Sequence, residues 1–207
     1  MSYQGSFEIS GLGQPTFTGG IAEGANLRTP CGLRRIEIIR PGDMIVTRSG
    51  LEAVQMVWQR RVKVTPANAP VCLKPRAVGP MMPQRALMLA PDHRVLIPGF
   101  RLLGVADDTS VLTEARKIAG SSDAVYVDLS RESVTYYQLV FDRHLVLTAN
   151  GLPVESFLPD AAAIAALGGE MRSALEARYP CLRDAPEAYP GAQFPIATEV
   201  DYVPFFA

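Results

Sequence analysis

Between residues 20 and 158 the chain runs through short apolar stretches, several alternating apolar with polar positions, separated by turn-forming pairs. Period-two alternation marks a strand with one face buried. Strands are expected at Ile36–Ile39, Met44–Thr47, Ala53–Trp58, Val62–Val64, Val71–Leu73, Ala86–Leu89, Val95–Ile97, Val111–Leu112, Ala124–Leu129, Tyr136–Phe141 and Leu145–Leu147. Pro41-Gly42-Asp43, Ser49-Gly50, Pro98-Gly99 and Asn150-Gly151 punctuate them, and Asn-Gly is a strong hairpin signal. So many short strands predict a mainly β body of barrel or folded-ribbon type. One further alternating run, Ser6–Ser10, sits in a Gly-, Ser- and Thr-rich lead over residues 1–19.

The pattern changes at Pro159. Asp160 is a good N-cap, an Ala-rich run follows, and Ile164, Leu167, Met171 and Leu175 share one helical face. Gly168-Gly169 predicts a break, since glycine costs about 1 kcal/mol in a helix interior. Pro180 ends the helix. Residues 181–207 are rich in proline and aromatics and predict an irregular tail lying along the body. The expected organisation is a lead (1–19), a β domain (20–159), and a C-terminal helix with its tail (160–207).

The chain has 207 residues, 48% of them hydrophobic, enough to fold around a core rather than remain disordered. Its 20 basic and 21 acidic residues nearly cancel, which argues against nucleic acid as a partner. Arg34–Arg35 and Arg60–Arg61–Lys63 read as solvated strand faces. Three cysteines (Cys31, Cys72, Cys181) and two histidines predict no disulfide framework, no metal site and no cofactor. No apolar stretch is long enough to span a membrane. The expected location is the cytoplasm, or outside it by export without a classical signal peptide.

There is no P-loop and no Gly-x-Ser-x-Gly elbow. The groups able to do acid–base work are the histidines in Asp92-His93 and Asp142-Arg143-His144, both at strand junctions. A neighbouring carboxylate can orient an imidazole and fix its tautomer. Nucleophilic chemistry would also need a hydroxyl or thiol within reach of such a base.

Three blocks in order resemble a known family. Gly24-Ala-Asn-Leu-Arg-Thr-Pro-Cys-Gly32 with Ile36–Thr47 is similar to the opening block of Hint domains, the autoprocessing modules shared by hedgehog proteins and inteins. Val57–Val62 continues it, Pro83–Ile97 resembles the histidine-bearing block, and Val134–Pro159 the closing block. The resemblance is to the bacterial Hint subgroup and covers residues 20–159. It implies a pseudo-twofold β-horseshoe and an N-to-S acyl shift. In that reaction a leading Cys attacks the preceding carbonyl, a His protonates the leaving amine, and polar neighbours hold the oxyanion.

Carried over by position, the resemblance places the nucleophile at Gly20, which has no side chain, and the Thr or Ser of the histidine block at Ala90. His93, Asp142 and His144 are retained, and the polar position after the Tyr pair is Gln138. These form the expected vestigial site. The terminal His-Asn pair of inteins falls on Glu155-Ser156, so Asn cyclisation has no reagent. Glu155 itself reads either as a group that bonds backbone near the end of the closing block or as a surface carboxylate, with the latter preferred. Gly20 fits a close backbone approach or an unusual φ. Three readings stay open. One is a Hint-fold structural or binding module that has lost self-cleavage and takes a protein partner. The second is residual autoproteolysis through Thr16, Thr18, Ser10 or Cys31, with His93 as acid–base group. The third is an unrelated β-rich interaction protein docking through Tyr202, Phe205 and Phe206.

Overall fold

The structure, a computed structural model, describes residues 17–205. The run Ser6–Ser10, Thr16 and Phe206 lie outside the described residues. The strands are β1 (Ile21–Ala22), β2 (Asn26–Thr29), β3 (Gly32–Arg35), β4 (Met44–Thr47), β5 (Gly50–Ala53), β6 (Met56–Lys63) and β7 (Val71–Leu73). Then come β8 (Leu87–Leu89), β9 (Arg94–Pro98), β10 (Ser110–Glu114), β11 (Val125–Val127), β12 (Ser133–Val140), β13 (Val146–Ala149) and β14 (Leu152–Glu155). Helices are α1 (Ala115–Ile118), α2 (Ala161–Ala166) and α3 (Gly169–Arg178).

The strands pair antiparallel in two sheets. The first has the order β11-β7-β8-β1-β12-β6; the second runs β10-β9-β14-β13-β2-β3, with the β4–β5 hairpin attached to β13. Apolar side chains of both sheets meet in one core, including Ile21, Leu27, Leu89, Val95, Leu139, Leu147 and Val154. The opposite face of the first sheet carries a second core, where Trp58, Val62, Val134, Tyr136 and Val140 pack against Phe157, Leu167, Met171 and Leu175. Strand β12 is therefore covered on both faces.

The helical region follows its sequence signals. Asp160 accepts the Ala163 N–H at 2.7 Å, and the helix breaks between Ala166 and Gly169. The tail adds to the edge of β10: the Leu112 N–H donates to Pro195 and the Ala197 N–H to Leu112. Tyr202 donates to the Ala77 carbonyl and Phe194 packs against Leu96, Leu112 and Val146. The tail thus protects an edge that would otherwise offer unpaired backbone groups.

Three expectations need correction. Ile36–Ile39 is no strand: a 3-10 turn, Ile36–Ile38, buries Ile36 and Ile39 on one side while Ile38 faces out. That is spacing three, not two. Ala53–Trp58 is split, because the Gln55 N–H turns to Val140 as the chain passes from the second sheet to the first. Strands β1, β2, β3 and β14 escape the pattern, being very short or carrying polar, glycine and proline positions.

Candidate functional site

Alternation on two long strands builds one wall of the site. On β6, Trp58, Arg60 and Val62 face the second core; on β12, Tyr136, Gln138 and Val140 do the same. Register places Arg60 opposite Tyr136 and Trp58 opposite Gln138. Two polar side chains thereby enter an apolar layer, where each must find a partner. They find it in the segment Thr18–Gly20, which leads into β1 between β8 and β12.

That segment is held at successive backbone groups. Gln138 Nε2 donates to the Thr18 carbonyl at 3.0 Å, and Arg60 Nη2 reaches the Gly19 carbonyl at 3.4 Å. The Gly20 N–H donates to His93 Nδ1 at 3.1 Å, and the Gly20 carbonyl accepts the Ala90 N–H at 2.8 Å. The Arg60 guanidinium also lies 4.8 Å from the Phe17 ring centroid and 5.4 Å from that of Tyr136, a cation–π sandwich. Burial lowers its pKa, yet a guanidinium remains charged at any ordinary pH. Arg60 is therefore no solvated strand face, in contrast to the exposed Arg61 and Lys63.

Gly20 adopts φ +122°. A Cβ added there would lie 2.9 Å from the Tyr136 Cβ and 3.3 Å from the Tyr137 carbonyl oxygen. Gly19, at φ +70°, would bring a Cβ 2.9 Å from Gln138 Nε2. The backbone here is shaped around two glycines, and the closest obstacle to a side chain at 20 is a β-carbon that cannot rotate away.

His93 sits on the loop from β8 to β9, fixed by its own N–H to the Ala90 carbonyl and by the Ala115 N–H to its carbonyl. The ring is fully buried. Because Nδ1 accepts from Gly20, the ring's proton resides on Nε2, which has no hydrogen-bond partner. Burial pushes the imidazole down to about 4; Glu155 opposes this, while Arg94 and His144 reinforce it. At neutral pH His93 is an acceptor at the Gly20 nitrogen, with no proton to give there.

His144 is buried on the neighbouring strand junction. The Gln193 N–H donates to its Nδ1 at 3.1 Å, so its proton faces Glu155 Oε2 at 3.4 Å. Glu155 is only 5% exposed, contrary to its reading as a surface carboxylate. Its Oε1 accepts the Arg94 N–H at 2.9 Å and its Oε2 pairs with Arg94 Nη1 at 3.0 Å. Burial pushes this carboxyl up, but His144, His93 and Arg94 outweigh it and the net shift is downward. The Asp-His neighbours in sequence do not pair: Asp92 bonds Arg116, and Asp142 bonds Gln55, Arg178 and Tyr179. Asp142 is exposed beyond the end of β12, where its carboxylate holds the C-terminal end of α3.

The structure thus brings Gly20, Ala90, His93 and Gln138 together, sets His144 beside them through Glu155, and leaves Asp142 outside. Sequence reasoning missed Arg60, Arg94 and Glu155. The alternation Trp58-x-Arg60-x-Val62 carried a signal for Arg60. The Arg94–Glu155 pair spans 61 positions and left none. A cleft of about 270 Å³ opens beside Thr18, Gly19 and Gln138, bordered by Arg94, Glu155 and Phe157. Among the described residues no group of His, Cys, Asp and Glu could hold a metal ion, and no helix is long and apolar enough to cross a membrane.

The chain is similar in structure to the gp41-1 intein, at 10% identity and TM-score 0.39, over 66% of this chain and 97% of that one. It is also similar to a bacterial intein-like domain from Clostridium thermocellum, at 13% identity and TM-score 0.40, over 66% and 96%. The MchDnaB-1 intein gives 12% identity and TM-score 0.40, over 66% and 99%. No curated protein matches the chain. The sequence model of the Hint domain matches residues 20–161, well over half of the chain. With a mainly antiparallel β body followed by C-terminal helices and a tail, the chain belongs to the Hint domain family.

Proposed function

We propose that this Hint domain does not process itself, and that its vestigial site clamps the Gly19–Gly20 peptide within a structural or binding module. The observation that carries this reading is the backbone of Gly20: φ +122°, with the space for a side chain already taken by the Tyr136 Cβ. An acyl shift needs a nucleophile at that position and a proton on the histidine at the amide nitrogen. Gly20 supplies neither sulfur nor oxygen, Ala90 supplies only its main-chain N–H, and His93 presents a lone pair. The four hydrogen bonds to the backbone of Thr18–Gly20 that would position a reaction instead anchor the chain. As a module the protein takes a protein partner rather than nucleic acid, in keeping with its net charge of −1. It works in the cytoplasm or after export without a classical signal peptide.

Residual cleavage is favoured by one observation, the placement of His93 Nδ1 at the Gly20 nitrogen. The described alternative nucleophiles do not match it. The Thr18 hydroxyl would attack the Phe17 carbonyl and release the Thr18 nitrogen, two residues from the nitrogen that His93 contacts. Cys31 lies in the exposed turn between β2 and β3.

The double variant Gly20→Cys/Ala90→Thr tests the proposal, because it restores the missing groups without restoring the geometry. The expected result is no thiol-dependent cleavage. Efficient cleavage would mean that the site lacks only reagents, and would overturn the clamp reading. Any cleavage lost on His93→Ala would favour the residual-activity reading.

A further inference from the structure

The tail docks onto the body through a buried imidazole, and that contact has a built-in competitor. Gln193 is the anchor: its N–H donates to His144 Nδ1 at 3.1 Å, its Oε1 accepts the Val146 N–H at 3.0 Å, and its Nε2 donates to Ser49 Oγ at 2.8 Å. Beyond it Phe194 covers Leu96, Leu112 and Val146, and Leu112 exchanges backbone hydrogen bonds with Pro195 and Ala197. The His144 side chain is fully enclosed.

The Gln193 bond requires a lone pair on Nδ1. A proton placed there would set one N–H against another, turning an attraction into a repulsion. On the far side of the ring Glu155 Oε2 faces Nε2 and would stabilise an imidazolium. Docked tail and bound proton therefore compete for the same lone pair.

Glu155 arrives from β14 and Arg94 from β9, ion-paired to each other at 3.0 Å. His93, before β9, is within electrostatic reach of Glu155. Asp142 is engaged by Gln55, Arg178 and Tyr179, and Arg143 by Glu52. Arg48, at the end of β4, lies over the Phe194 ring, 5.6 Å from its centroid. Gln193 itself is neutral.

We propose that His144 latches the C-terminal tail through its Nδ1 lone pair, and that protonating His144 releases the tail and uncovers the β10 edge with Leu96, Leu112 and Val146. The latch is independent of whether the Gly20 site reacts.

Amide hydrogen exchange on the full chain, compared between about pH 8 and about pH 5, tests it. The Leu112 and Ala197 amides report tail docking; the Phe157 amide, bonded to Leu139, reports the body. The expected result is a fall in protection of Leu112 and Ala197 by about tenfold per pH unit once one proton is coupled, while Phe157 falls no further than it does in His144→Asn. His144→Asn keeps an acceptor oxygen near Nδ1 and cannot titrate, so its tail protection is expected to be flat with pH. Unchanged protection of Leu112 and Ala197 in the wild type, an equal fall at both in His144→Asn, or a larger fall at Phe157 in the wild type than in His144→Asn would overturn the latch. Should His144→Asn not fold, Glu155→Gln serves: removing the carboxylate charge is expected to move release to lower pH, and an unmoved midpoint would overturn the proposal.

Discussion

The Nδ1 atom of His93 accepts the N–H of Gly20 at 3.1 Å, across 73 positions of sequence. This bond joins the histidine-bearing loop to the start of β1. It also fixes the direction of proton donation: the amide gives and the imidazole receives. The same contact that could serve a reaction here completes a backbone anchor.

Gly20→Ala is expected to destabilise the fold by about 1–3 kcal/mol, since it combines a left-handed φ with an overlap against Tyr136. Chemical denaturation measures this. A neutral substitution would show that the backbone at Gly20 is not constrained as described.

Acid is expected to weaken the protein, in part through His93. Its folded pKa of about 4 lies below the ordinary histidine value of 6.5. The unfolded chain therefore binds a proton that the folded chain refuses, and stability falls as pH drops from about 6.5 to about 4. The shift corresponds to at most about 3 kcal/mol. His93→Asn, whose side-chain oxygen can still accept from Gly20, should flatten that part of the stability–pH curve. Glu155, with its pKa held down, adds loss in the same direction at lower pH, once it protonates in the unfolded chain. An unchanged slope in His93→Asn would show that His93 does not cause the acid destabilisation.

Gln138→Ala is expected to cost about 1 kcal/mol by leaving the Thr18 carbonyl without its donor. Arg60→Met keeps the apolar stem between Phe17 and Tyr136 and removes the charge, so it should loosen the Gly19 carbonyl at similar cost. Because both act on one segment, their effects should not add. Double-mutant unfolding measures the coupling, and strict additivity would contradict a shared clamp.

Asp142→Ala is expected to leave the Gly20 amide protected and to raise exchange in the last turn of α3, where Arg178 and Tyr179 lose their carboxylate partner. Exchange read at Gly20 and at Tyr179 separates the two. Loss of protection at Gly20 would return Asp142 to the site.

Much of this was legible in the sequence. Short apolar runs found β4, β7 and the centre of β12, and Asp160, Gly168-Gly169 and Pro180 marked the helical region. Ordered blocks identified the family and singled out Gly20, Ala90, His93 and Gln138, which the fold brings near one another. What failed did so for physical reasons. Ile36–Ile39 has the composition of a strand but buries with spacing three. Asp142 and His144 are close in sequence, yet one leaves the end of β12 toward solvent while the other turns inward. The partners of Glu155 and Arg60 come from remote segments, and no local spacing records them.

In the proposed clamp the Gly19–Gly20 peptide is held and not broken. Intact-mass measurement of the purified full chain, incubated with and without a strong thiol and hydroxylamine, tests it most directly. One species at the full 22.4 kDa is expected under every condition. A time-dependent product lacking residues 1–19, accelerated by thiol or hydroxylamine, would contradict it.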